Sequence, residues 1–173
     1  MTRVVLSIGS NVGDRLAHLQ SVPDALGDSV VAVSPVYETA PWGGVEQTAF
    51  LNAVLIADDP TLDPLGWLRR GQLLEDAAGR VRAQRWGPRT LDVDLISGSV
   101  HGAELLVGEP DLTLPHPLAH VRAFVLVPWR DIDPDAELTV AGVPTPVRRL
   151  IDDISPADRA GVVRSHLTLR SAG

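Results

Sequence analysis

The alternation of two periodicities along the first hundred residues restricts the fold more than any other feature of this chain. Val4, Leu6 and Ile8 alternate with Val5, Ser7 and Gly9, which predicts a strand whose second face is small or apolar. The turn residues Gly9-Ser10-Asn11-Val12-Gly13-Asp14 follow. Leu16, Leu19, Val22 and Leu26 then recur at spacings of three and four, predicting an amphipathic helix that ends near Gly27 and is kinked or shortened at Pro23. Val30–Thr39 reads as a second strand, Ala40–Thr48 as a loop rich in Pro and Gly, and Ala49–Ala57 as a third strand, apolar enough to be central. Leu65, Leu68, Leu73 and Ala77 carry a helix from about Asp63 to Ala78, closed by Gly79. An arginine-rich loop, Arg80–Thr90, leads into a fourth strand, Leu91–Ile96, and a hairpin turn at Gly98–Gly102. The order strand–helix–strand–strand–helix–strand predicts the α+β class. Its expected form is a ferredoxin-like α/β plait, an antiparallel sheet with helices on one face and the other face left for a site. Such a fold hosts many functions and names none.

After Pro115-His116-Pro117 the pattern weakens. Leu118–Val127 reads as the start of a helix and Leu138–Val147 as short edge strands broken by prolines. A length of 173 residues fits a single domain, 1–173, with a tail from about 159 to 173 expected to be partly disordered. No apolar run approaches the roughly 20 residues of a membrane span, and the N-terminus has no signal-peptide core. The expectation is a cytoplasmic protein.

Composition enters through what is missing. There is no cysteine, which excludes disulfides, a thiol nucleophile and thiolate zinc sites. All 15 basic residues are arginine, so a Walker lysine, a Schiff-base lysine and Ser–Lys hydrolysis are excluded too. The net charge of −7 argues against general nucleic-acid or anionic-membrane binding. Between Gly66 and Thr90, however, six arginines face only Glu75 and Asp76, a local balance of +4 that leaves −11 on the rest of the chain. A chain that gathers its positive charge in one stretch is built to hold a small anion.

Four constellations carry possible chemistry. Asp92-Val93-Asp94 places two carboxylates on one strand face, where they repel unless a proton or a cation intervenes. Few, hard oxygen ligands suit magnesium; two solvated acids on a half-exposed strand are the equal alternative. The arginines at 80, 82, 85 and 89 precede that pair directly, with Trp86 between them, and guanidinium groups bind phosphate oxygens bidentately. Cation-binding acids next to anion-binding arginines are what phosphoryl transfer from a magnesium nucleotide requires. Thr39-Ala40-Pro41-Trp42-Gly43, with Phe50 and Asn52 on one strand face, offers a stacking surface and an amide to a planar heterocycle, or else belongs to the core. His116 between prolines, followed by Arg122 and Phe124, is a weaker signal for a phosphate donor and a second aromatic wall. Trp67 and Trp129 read as core or boundary residues.

With these segments in hand the chain resembles the 6-hydroxymethyl-7,8-dihydropterin pyrophosphokinase family of folate biosynthesis. The resemblance runs from Ser7-Ile8-Gly9-Ser10-Asn11 to Phe124. It is most specific in Gly79-Arg80-Val81-Arg82 and Arg85-Trp86-Gly87-Pro88-Arg89-Thr90-Leu91-Asp92-Val93-Asp94. Tyr37-Glu38-Thr39, Phe50-Leu51-Asn52 and Leu114-Pro115-His116-Pro117 through Arg122-Ala123-Phe124 fall where the family pattern expects them. The resemblance implies a ferredoxin-like monomer that transfers pyrophosphate from ATP to the pterin hydroxymethyl group and releases AMP. It implies that Asp92 and Asp94 hold two Mg2+ ions, and that Arg80 and Arg89 lie closest to the transferring group. ATP would meet Gln72, Glu75, Arg82, Arg85, Trp86, Arg89, Leu95, Thr113, His116 and Arg122. Thr39, Ala40, Trp42, Asn52, Trp86 and Asp92 match positions of the pterin pocket, with Phe50 and Phe124 on either side of the ring.

Three positions depart from the pattern. Phe50 stands where Tyr is frequent, Asp111 where some members place an arginine near the nucleotide, and Val121 where a charged residue is common. Two readings from other classes remain at this point. One is a non-catalytic nucleotide sensor, which has little use for Asp92 and Asp94 together. The other is an RNA-binding module, which the −11 on the remaining chain disfavours.

Overall fold

The structure, a computed structural model, describes residues 2–40, 48–79 and 90–171. In chain order its elements are β1 (Thr2–Ser10), α1 (Arg15–Leu26), β2 (Val30–Val33), β3 (Tyr37–Thr39), β4 (Phe50–Asp59), α2 (Pro64–Ala77), β5 (Asp92–Val100), β6 (Ala103–Glu104), β7 (Val107–Gly108), β8 (Thr113–Leu114), α3 (Ala123–Ile132), β9 (Glu137–Val140), β10 (Val143–Pro146), α4 (Val147–Asp153), α5 (Pro156–Ala160) and β11 (Val162–Arg164). The main sheet runs β11-β3-β4-β1-β5-β6, with β2 also on β4, and its pairs are antiparallel. With β1 between β4 and β5, this is the plait expected from the order of elements.

Local chemistry explains the boundaries. Asp14 caps α1 by accepting from the Ala17 N–H, and Asp63 caps α2 by accepting from the Gly66 N–H, with Pro64 at the first helical position. Pro23 stays inside α1, buried against the core. The strand expected over Val30–Thr39 is two, because Pro35 interrupts it; Ser34 keeps the break attached to β4 through Ser34 N–H to Val54 O and Val54 N–H to Ser34 Oγ, both 2.9 Å. β5 continues through Gly98 to Val100, so the turn is narrower than expected and lies at His101 and Gly102, both with positive φ. Leu118–Val127 begins as a 3-10 turn over Ala119–Val121, and α3 starts only at Ala123. The strands expected over Leu138–Val147 form a separate hairpin of β9 and β10.

Val4, Leu6 and Ile8 of β1, together with Leu51, Ala53 and Leu55 of β4, pack against Leu19, Val22 and Leu26 of α1 and Trp67 of α2. Those two helices share one face, as expected. The other face is not left free. Val5, Val54, Ile56 and Ile96 are covered by Val125, Leu126 and Trp129 of α3 and by Leu150 and Ile151 of α4. The reason is that the upper part of this face is apolar and has to be buried.

The tail also departs from expectation. β11 pairs with β3, Ser165 donates from N–H and Oγ to Val36 O, and Leu167 O accepts from Val36 N–H. Gln20 on α1 holds both the N–H and the carbonyl of Arg170. Residues 159–171 are thus docked along the β3 edge rather than loose, since that edge offers unpaired backbone groups and Leu167 and Leu169 supply apolar contacts. No helix of the described residues is long and apolar enough to cross a membrane.

Candidate active site

Strand register brings the polar positions of the second face into rows. Gly9 is opposite Asn52 on one side and Asp92 on the other, and Tyr37 is opposite Asn52. Ser7 is opposite Val54 and Asp94, and Thr39 is opposite Phe50. Directly opposed residues project to the same side of a sheet. One face therefore carries Thr39, Phe50, Asn52, Asp92 and Asp94 over a floor of Ser7 and Gly9.

The floor has to be small. A Cβ at Gly9 would lie 2.8 Å from Asn52 Oδ1 and 3.5 Å from the Phe50 ring. Asn52 is buried and its amide donates to Thr39 Oγ1 at 2.7 Å, leaving the amide oxygen oriented over Gly9. A fixed amide beside a half-buried aromatic ring suits a flat polar heterocycle. Ala40 is exposed beside this corner, and Trp42 lies outside the described residues.

Asp92 and Asp94 are both half-buried on β5. Asp94 Oδ2 lies 3.8 Å from Arg122 Nη1, a loose pair with the carboxylate 40% exposed and so open to exchange for another cation. Two half-buried carboxylates on neighbouring same-face positions fit magnesium, which takes few protein ligands and completes its shell with water and phosphate. The strand that presents them is held from behind. Glu75 of α2 is buried and accepts from the Val93 N–H at 3.0 Å, between the two aspartates, and Gly71 lets the helix approach Val93 closely.

His116 and Arg122 complete the rim. His116 N–H donates to Ile96 O at 2.8 Å, and its Nδ1 accepts from the Leu118 N–H at 3.1 Å. Burial first, and the Arg122 charge second, push its pKa down to about 4. At neutral pH the ring is therefore uncharged with its proton on Nε2, a neutral donor. The Arg122 guanidinium stands 5.5 Å over the Phe124 ring in the first turn of α3.

The remaining nucleotide positions sit differently. Gln72 is exposed on α2, Thr113 is exposed on β8, and Leu95 is buried in the core under α1 and α2. Glu75, Gln72 and Leu95 belong to the α1 and α2 side of β5, opposite the aspartates. β6 pairs only with Ser99 and Val100, leaving the edge at Asp92–Leu95 without a strand among the described residues. Asp111 and Val121 are exposed. Arg80, Arg82, Arg85, Trp86 and Arg89 lie outside the described residues.

Some contributors were not singled out from the sequence. Asn11 Nδ2 donates to Thr48 O and Arg15 to Ala49 O, which fixes the chain where it enters β4. Nothing in residue type or spacing pointed to Arg15. Ser7 and Gly9 were visible as small residues on a strand, but their use as a floor depends on register.

Comparisons with known proteins point to one family. The family model described as 7,8-dihydro-6-hydroxymethylpterin-pyrophosphokinase (HPPK) matches residues 5–134. The 2-amino-4-hydroxy-6-hydroxymethyldihydropteridine pyrophosphokinase of Mycobacterium tuberculosis (strain ATCC 25618 / H37Rv) is 65% identical over 167 residues, 94% of this chain and 89% of that protein. The protein of the same name from Methylorubrum extorquens is 42% identical over 161 residues, 91% of this chain and 96% of that protein. Among solved structures, Plasmodium falciparum HPPK-DHPS, wild type with pteroate, aligns over 88% of this chain with a TM-score of 0.62 at 14% identity, a likeness of fold. This chain spans only 42% of that one.

Proposed function

This chain belongs to the 7,8-dihydro-6-hydroxymethylpterin-pyrophosphokinase family, and from that premise we propose how its residues divide the work. It is an ATP-dependent pyrophosphokinase of folate biosynthesis. The hydroxymethyl oxygen of the pterin attacks the β-phosphorus of ATP, the bond from that phosphorus to the bridging oxygen of the α-phosphate breaks, and AMP leaves. The hydroxyl proton is released, and the product is the pterin methyl diphosphate.

The observation that carries the residue reading is the shared row of Asn52, Gly9 and Asp92, which puts the fixed amide on the same face as the carboxylate pair. Thr39, Ala40, Trp42 and Asn52 hold the pterin edge, while Phe50 and Phe124 take its two faces. Asp92 and Asp94 would hold magnesium, two ions in our reading, which would supply positive charge to neutralise the phosphates. Arg80, Arg82, Arg85 and Arg89 engage the phosphates, and Trp86 closes over them. His116 donates from Nε2 to a phosphate oxygen without adding charge, and Arg122 exchanges Asp94 for ATP. Gln72, Leu95 and Thr113 border the nucleotide, with Glu75 holding β5. No protein nucleophile is needed, because the substrate brings its own; the chain supplies position, charge and exclusion of water. The proposal includes a cytoplasmic monomer, the second point open to sedimentation of the purified chain.

Phosphorus NMR with Mg-ATP, with and without 6-hydroxymethyl-7,8-dihydropterin, tests the reaction. Pterin-dependent AMP together with a diphosphate ester is the expected outcome. ADP would mean that a single phosphoryl group moves, and bound ATP without turnover would favour a sensor.

A further inference from the structure

Tyr37 and Asp131 take no part in the chemistry above, yet they join its two walls. Tyr37 is buried on β3, and its hydroxyl donates to Asp131 Oδ2 in the last turn of α3. Burial, then the bond to Asp131, pushes the phenol pKa up to about 12, so it keeps its proton and remains a donor. Tyr37 is directly opposite Asn52, and two residues on, Thr39 accepts from the Asn52 amide. Asp131 is two helical turns beyond Phe124 on the same side of α3. This hydrogen bond therefore ties the strand of the amide wall to the helix of the aromatic wall.

Other contacts do not replace it. Val125, Leu126 and Trp129 anchor α3 on the sheet through apolar packing, which sets how close the helix lies and only weakly resists sliding. At its start α3 meets β5 through Arg122 and Asp94, 3.8 Å apart, a looser contact than the directional bond at its far end.

We propose that Tyr37 and Asp131 are positioning residues that set the gap between Asn52 and Phe124, and hence the affinity for the flat heterocycle. This rests on the pterin reading of that corner. The test is steady-state kinetics of Tyr37→Phe, Asp131→Ala and Asp131→Asn, each substrate varied separately, with thermal melting alongside. Tyr37→Phe and Asp131→Ala should raise the pterin KM about five- to tenfold, the effect of losing one ordinary hydrogen bond, with the KM for ATP unchanged and the melting temperature lowered by no more than about 2–4 °C. Asp131→Asn keeps an acceptor oxygen and should recover most of the affinity. An unchanged pterin KM, or equal rises in both KM values with a larger fall in melting temperature, would reduce the contact to a structural brace and overturn the proposal. Asp131 is exposed, so Asp131→Ala decides the matter even if Tyr37→Phe fails to fold. Wild-type turnover on the pterin separates the two claims: its absence sinks the pterin reading and this inference together, whereas its presence with unaltered variants sinks this inference alone.

Discussion

One face of the sheet is built from three strands whose two ends do opposite work. Toward one end, Val5, Ile56 and Ile96 are apolar and buried beneath α3 and α4. Toward the other, the same strands carry Gly9, Asn52 and the half-exposed Asp92 in one polar row. The row of Val54, Ser7 and Asp94 lies between, half of each character. A step of two residues along each strand thus converts core into site. The lesson is that the polar site begins where the apolar positions of these strands end.

The largest effect should come from the polar end. Asp92→Ala or Asp94→Ala is expected to cut turnover by about 10²–10³, as loss of a preorganised charge at a reacting phosphate does. Both positions are half-exposed, so melting should stay near wild type. Normal turnover in both variants would remove the metal role. The mirror experiment is Ile56→Ala at the covered end, expected to cost about 2–5 kcal/mol of stability through the cavity it leaves. Kinetic constants measured well below its melting point should not change. A selective loss of substrate affinity there would show that the two ends are not separable.

Much of this division was legible in the sequence, and the parts that were not share a cause. Asp92 and Asp94 on one strand face, and Phe50 with Asn52 on another, follow from the period of two alone. The plait followed from the order of elements. Register and docking did not follow, because a periodic pattern says which side a residue faces but not what lies across from it. That is why Gly9 beneath Asn52, Glu75 behind Val93 and Asp131 beside Tyr37 became visible only in three dimensions. The apolar half of the face was visible as Val54 and Ile56, yet its cover comes from Ala123–Asp153, a stretch whose prolines and short elements blurred any period. The docked tail escaped notice because an edge strand of three residues, Val162–Arg164, carries almost no pattern.

Gly9→Ala sharpens the comparison at a single methyl group. The added Cβ would meet Asn52 Oδ1 at 2.8 Å, and Asn52 is buried and committed to Thr39, so its amide has to turn away. The pterin KM should rise about tenfold, with a stability loss of about 1–3 kcal/mol for the overpacking. A variant with wild-type pterin affinity would show that Asn52 does not hold the ring.

The smallest effect concerns pH and the seam between the two ends. His116 N–H is bonded to Ile96 at the edge of the covered half, while its ring stands on the rim of the polar half. Its pKa lies at about 4 in the fold against an ordinary 6.5, lowered by burial and then by Arg122. Between those values the unfolded chain binds the proton more readily than the folded one, so stability rises with pH across this window. The contribution is complete above 6.5 and is lost as pH falls through about 4. His116→Asn keeps a short-armed acceptor for the Leu118 N–H but cannot take up the proton. Its melting temperature should fall less steeply with acid than that of wild type, with the two curves converging toward the lower end of the window. Parallel slopes would mean that the histidine is hydrated in the fold after all, and that the rim of the polar half extends past Ile96 into what the packing of α3 marks as covered.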